Sequence, residues 1–218
     1  MQFARELDRR MAIAGAISGL AGVTAYFGAA FLPAVLPVPD GVVLVLAFAF
    51  GPLLGLSFLG LFHAIAAGND GPALRFGVVL GILAGATVTI MLVVQVGNNI
   101  FLDQQLAEAD AEVLKESARL VHRAVNRVQM LIDVAWDVFI CGAGFLIGFS
   151  MFRHPSFGRI LGGTGMVASA ALLYLNLDTF PRGPAYAGSV DLGPLLAVWF
   201  LIVYVRVLWL TRTGQKTA

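Results

Sequence analysis

Asp133 and Asp137 lie four residues apart, with Trp136 between them, in the run VQMLIDVAWDVFICGAGFLIGFSMF, which extends from Val128 to Phe152 and holds no other charge. On a helix that spacing puts both carboxylates on one face, about a turn apart. An ionised side chain at the centre of a membrane helix costs about 2.5–3.5 kcal/mol on the insertion scale, and less near the interface. Asp133 is shallow enough to reach lipid headgroups. Asp137 is followed by wholly apolar sequence, so it must face a bundle interior, a wet cavity or a partner. Two close carboxylates could also share and shuttle a proton.

Amides and acids recur at the ends of other apolar runs. Gln95, Asn98 and Asn99 stand at i, i+3 and i+4, with Asp103 a turn further. Asn176, Asp178 and Thr179 follow Tyr174 in YLNLDT, and Asp191 lies in SVDLGP, at the opening of the last apolar run. Under the topology argued below, all of these lie at one membrane level. The candidate ligand-binding set is Asp133, Trp136, Asp137, Gln95, Asn98, Asn99, Asn176 and Asp178. It offers oxygen ligands and negative charge with no histidine or cysteine. Such a set suits a hard cation such as Na⁺, Ca²⁺ or Mg²⁺, or an organic cation beside Trp136, and not tetrahedral zinc. The same groups could instead form an amide–carboxylate network that holds helices together, with Arg127 or Arg182 as its partner.

Other chemistry has thinner support. His63 and His154 fall on one side of the membrane, which permits a haem or pigment pair, but without a signature the favoured reading is one packed helix-end residue and one interfacial base. His122 sits among charges and reads as solvated. No G-x-S-x-G, H-E-x-x-H, Walker loop or paired C-x-x-C occurs. No catalytic residue is assigned, no cofactor signature is present, and the identity of any metal stays open.

The elements that must position these groups follow from composition. Hydrophobic residues make up 59% of the 218, charged residues 12%, and mean hydropathy is +0.86. Soluble domains average roughly 25% charge. The net charge is +1 with scattered basic residues, which excludes a nucleic-acid stripe. Cys141 is the single cysteine, so an intrachain disulfide is impossible. Six apolar segments, near 11–36, 42–66, 76–102, 129–152, 159–180 and 190–211, are long enough to cross a ~30 Å hydrocarbon core. They predict an all-α membrane protein, a bundle of six transmembrane helices in one domain over 1–218. The first follows MQFARELDRR and is too long for a cleavable signal, so it reads as a membrane anchor.

Orientation follows the basic residues. With the N-terminus inside, the inner side takes Arg5, Arg9, Arg10, Arg75, Arg153, Arg159, Arg206, Arg212 and Lys216, and the outer side Lys115, Arg119, Arg123, Arg127 and Arg182. Both termini are then cytoplasmic. Proline-rich outer turns, LPAVLPVPDG and PRGPAYAG, read as rigid caps between helices.

Between the third and fourth spans, DQQLAEADAEVLKESARLVHRAVNRV (103–128) reads as an extra amphipathic helix. Leu106, Ala109, Val113, Leu120, Ala124 and Val128 form its stripe, with Leu114, Val121 and Val125 beside it. It would lie on the outer membrane surface or project as an extension of the fourth helix, covering the bundle or docking a partner. Gly15/Gly19, Gly51/Gly55, Gly77/Gly81/Gly85 and Gly144/Gly148 repeat at four-residue spacing, which lets helix backbones approach in lipid. These rows read first as packing between helices of one chain, and Gly77/Gly81/Gly85 is the candidate seam should the protein be a homo-oligomer.

Gly144 to Leu175, GFLIGFSMFRHPSFGRILGGTGMVASAALLYL, resembles a bacterial group of small multi-pass membrane proteins. There a helix ends in a short basic turn, followed by R-I-L-G and a glycine- and alanine-rich helix. Arg153, Pro155, Arg159, Ile160, Leu161 and Gly162 carry the likeness. It implies a helical bundle of bacterial origin and no particular activity. The expected function is recognition, or transport, of a cation or small cationic ligand in an outward-facing pocket. The alternative is an accessory subunit of a larger membrane complex, and an enzyme is the least supported reading.

Overall fold

In a computed structural model, residues 6–181 and 192–213 are described. Six helices follow one another: α1 (Glu6–Val35), α2 (Asp40–Ala66), α3 (Pro72–Glu108), α4 (Glu112–Phe152), α5 (Gly158–Asp178) and α6 (Gly193–Thr213). Each carries a window long and apolar enough to cross a membrane. The boundaries have local causes. Pro39 precedes α2, and Pro72 occupies the first turn of α3, where its missing N–H costs nothing. Gly158 opens α5 at φ 80°, a conformation that L side chains rarely adopt.

Neighbours in sequence are neighbours in space: α1 packs on α2, α2 on α3, α3 on α4 and α4 on α5, while α6 lies against α1 and α5. Lipid tails are as apolar as leucine, so burial alone gives helices little drive to associate, and close backbone approach must supply it. Glycines provide that approach. Gly15 meets Gly60 backbone to backbone across α1 and α2, and Gly85 meets Gly51 and Gly55 across α2 and α3. Elsewhere a glycine leaves a notch for a ring. Tyr204 fills the one at Gly19, Phe58 the one at Gly81 and Trp199 the one at Gly165. The Tyr204 hydroxyl shares a hydrogen bond with Ser57 at 2.8 Å, and the Trp199 indole donates to the Leu161 carbonyl at 2.8 Å, which fastens α6 to α2 and α5.

Two sequence expectations change here. Gly77, Gly81 and Gly85 face Ile147, Phe58 and Gly51 of the same chain, so this row is spent within the bundle and is not a free oligomer seam. Nor do residues 103–128 form a helix of their own among the described residues. Asp103–Glu108 complete α3, Ala109–Ala111 turn, and 112–128 begin α4. At 1.5 Å per residue the 41 residues of α4 measure roughly 60 Å, twice the hydrocarbon thickness. α5 has 21 residues, and its Asn176 sits opposite Asp137, so roughly six turns of α4 stand beyond the C-terminal end of α5. The C-terminal part of α3 and the N-terminal part of α4 together form a helical arm.

Candidate functional site

Asp137 and Asn176 are the two predicted residues that meet. The Asn176 amide donates to Asp137 Oδ2 at 2.7 Å, and the residues are 4% and 3% exposed. Their contact follows from the antiparallel approach of α4 and α5. Gly144 abuts Ser169, and Gly148 abuts the Gly162 carbonyl, so the helices lie close enough for two short side chains to join. Asp133, one turn outward, is half-buried and likewise has a partner. Beside Asp137, the Trp136 indole N–H is buried and finds no hydrogen-bond acceptor among the described residues.

Asn98 belongs to a different cluster. Its amide donates to the His122 carbonyl at 3.1 Å and to Asn126 Oδ1 at 2.9 Å. The Asn126 amide lies 3.0 Å from His122 Nε2, and His122 Nδ1 lies 3.3 Å from the Asn98 carbonyl. This pattern suits the tautomer with its proton on Nδ1, which donates to Asn98 while Nε2 accepts from Asn126. His122 is therefore part of the seam between α3 and α4 rather than a solvated group. Asn126, which the sequence reading did not single out, completes it.

Gln95, Asn99 and Asp178 are exposed and do not join either cluster. Gln95 and Asn99 flank Asn98 on the helix surface, but only Asn98 points at the line where α4 touches α3. Asp178 closes α5 with its side turned out, as does Tyr174. Arg182 and Asp191 lie outside the described residues. The eight predicted positions thus divide into a buried acid–amide pair with the partly buried Asp133 and Trp136 beside it, Asn98 in the seam between α3 and α4, and the exposed Gln95, Asn99 and Asp178.

The other two histidines engage separate partners. His63 Nδ1 lies 2.9 Å from Asp8 Oδ1, joining α2 to α1. His154, in the turn after α4, is 2% exposed, and its Nδ1 accepts the Ser156 N–H at 3.0 Å. Gly68 packs against its Nε2, where any Cβ would collide. Among the described residues no group of three or more His, Cys, Asp or Glu is arranged to hold a metal ion. Two surface depressions are found elsewhere. One, of about 510 Å³, is apolar and lined by α1 and α2, and the other, of about 630 Å³, surrounds the turn between α4 and α5. Neither is lined by Asp137.

Burial pushes the His154 imidazole below its ordinary pKa of 6.5. The fold therefore prefers the neutral ring. As pH falls below about 6.5 the unfolded chain takes up its proton first, and stability declines until the folded ring is protonated as well. Melting temperature between pH 7.5 and 5 is expected to drop in the native chain and to drop less in His154→Gln. Equal slopes would mean that another group sets the pH dependence.

No family model, curated protein or solved structure matches the chain.

Proposed function

We propose that this protein is a subunit of a membrane protein assembly, docking a protein partner through the outer arm of α3 and α4. The observation that carries this reading is the division of α4 into three faces between Glu112 and Gln129. Ala118, His122, Val125 and Gln129 turn toward α3. Glu112, Glu116, Arg119 and Arg123 occupy a second face and pair among themselves: Arg119 with Glu112 at 3.0 Å and Arg123 with Glu116 at 2.9 Å. Val113, Leu114, Leu120, Val121 and Val128 form the third and are 77%, 58%, 61%, 62% and 55% exposed. Helices beyond the bilayer normally keep such a stripe covered.

The acid–amide pair supports the same reading. A pocket would leave Asp137 lining an open space, whereas a lock closes it against Asn176. Arg9, Arg10, Arg75, Arg153, Arg159, Arg206 and Arg212 lie at the α1 N-terminal face, against Lys115, Arg119, Arg123 and Arg127 on the arm. That excess, with the resemblance to bacterial membrane proteins, favours a bacterial cytoplasmic membrane, cytoplasmic termini and an arm on the outer side.

A photo-crosslinking residue at Val121, in membranes from the native host, is expected to form one discrete higher-mass adduct. The same residue at Arg123, on the charged face, is expected to form little. Adducts from neither position would remove the docking reading.

Recognition or transport of a cation remains the second reading, and the burial of a carboxylate at membrane depth is what favours it. A cation that raises the melting temperature of the native chain and not of Asp137→Asn would establish it.

A further inference from the structure

The acids on the α1 N-terminal face are all committed elsewhere. Glu6 pairs with Arg9 and Arg10, Asp8 with His63, and Asp70 with Arg75. Arg75 holds the Asp70 carboxyl below its usual range. The sequence supplies no further acid between Asp137 and Asp178. Arg153 and Arg159, six residues apart around the α4–α5 turn, therefore have no carboxylate partner among the described residues. Both are exposed, and both line the same depression of about 630 Å³.

The turn beneath them is firmly built. His154 donates its N–H to the Met151 carbonyl at 2.8 Å and accepts the Gly158 N–H at 3.0 Å. Arg206 of α6 donates twice to the Ser156 carbonyl, at 3.2 and 2.9 Å, and stacks on Trp209, so it is spent on holding the turn. Arg159 lies over the Phe152 ring, 5.9 Å from its centroid. α5 begins beside the same depression with no side-chain cap, its first N–H, at Gly158, being the one bonded to the His154 carbonyl. The fixed turn thus carries two exposed guanidiniums without a carboxylate partner, both lining one depression at the end of a membrane helix, and guanidinium groups suit tetrahedral oxyanions.

We propose that Arg153 and Arg159 bind a phosphate-group anion at the membrane boundary, a site that goes beyond the arm and does not depend on it, because the two lie at opposite ends of α4. The anion has two sources, an anionic phospholipid headgroup or free phosphate.

The test uses the full chain in neutral detergent, with phosphatidylglycerol, phosphatidylcholine or inorganic phosphate added, and reads melting temperature and lipid retained in native mass spectrometry. Phosphatidylglycerol is expected to raise the melting temperature and to remain bound, while phosphatidylcholine does neither. At about 1 kcal/mol per surface arginine, Arg153→Gln/Arg159→Gln should bind the lipid roughly 30-fold more weakly. Arg75→Gln/Arg212→Gln removes the same charge from the same face and should bind as the native chain does. Arg159→Gln alone carries the test if the double variant fails to melt as a folded protein. A rise with inorganic phosphate, lost in the same variant, supports the anion site and assigns it to free phosphate. No rise with any anion, or equal binding by both double variants, overturns the proposal.

Discussion

Gly60→Ala is expected to destabilise the protein by about 2 kcal/mol, whereas Gly55→Ala, on the same helix, should leave it unchanged or stabilise it by up to about 1 kcal/mol. Alanine is the better helix former by about 1 kcal/mol, so the default sign of both changes is favourable. At Gly60 a new Cβ would collide with Gly15 Cα and press on the Met11 carbonyl, both backbone atoms that no rotamer change can move. α1 and α2 would have to separate, and overpacking of this kind costs about 1–3 kcal/mol or more. At Gly55 the same Cβ would meet nothing within 4 Å. Unfolding of the two variants in mixed detergent micelles gives the comparison directly. Equal effects would mean that the contact of α1 with α2 does not depend on backbone approach.

Asn176→Ala should cost about 2 kcal/mol, the worth of a hydrogen bond to a charged group, because it strips a donor from a carboxylate that is 4% exposed. Asp137→Asn should cost less than 1 kcal/mol, since an amide can still accept from Asn176 and no charge is then buried. The order of the two separates a lock from a ligand site. A lock tolerates loss of the charge better than loss of the amide. If Asp137→Asn is the more damaging change, the carboxylate's charge is itself needed, and the cation reading gains.

The six spans were legible because lipid demands about 20 apolar residues and the chain meets that demand six times, with proline near several ends. The arm was less legible. Its reversal at Ala109–Ala111 falls in LAEADAEVL, where neither glycine nor proline marks a turn. The change from apolar to charged sequence near Asp103 looked like a helix boundary, but leaving the bilayer alters a helix's solvent, not its hydrogen bonds. One reading of 103–128 did allow it to extend the fourth helix, and α4 takes that form from Glu112 onward.

The polar residues were found more readily than their partners. Asn98 was grouped with Gln95 and Asn99 by helical spacing, yet a seam between two helices selects one residue of such a triplet. Which one depends on the rotation of α3, and that is set by contacts such as Gly81 against Phe58. The glycine rows posed the same difficulty. Gly51 and Gly55 look alike in sequence, but a Cβ on the first would strike Thr89 and the Gly85 carbonyl, and one on the second would enter open space.

The docking account rests on the apolar face of the arm being covered by protein in the native membrane. A spin label at Val121, in a Cys141→Ser background, reads this through its accessibility to oxygen and to a water-soluble relaxation agent. The account predicts low accessibility to both in native membranes and high accessibility to the water-soluble agent once the protein is purified. A label as open to either agent in native membranes as in the purified protein would contradict it, because the stripe would then face lipid or water and no partner.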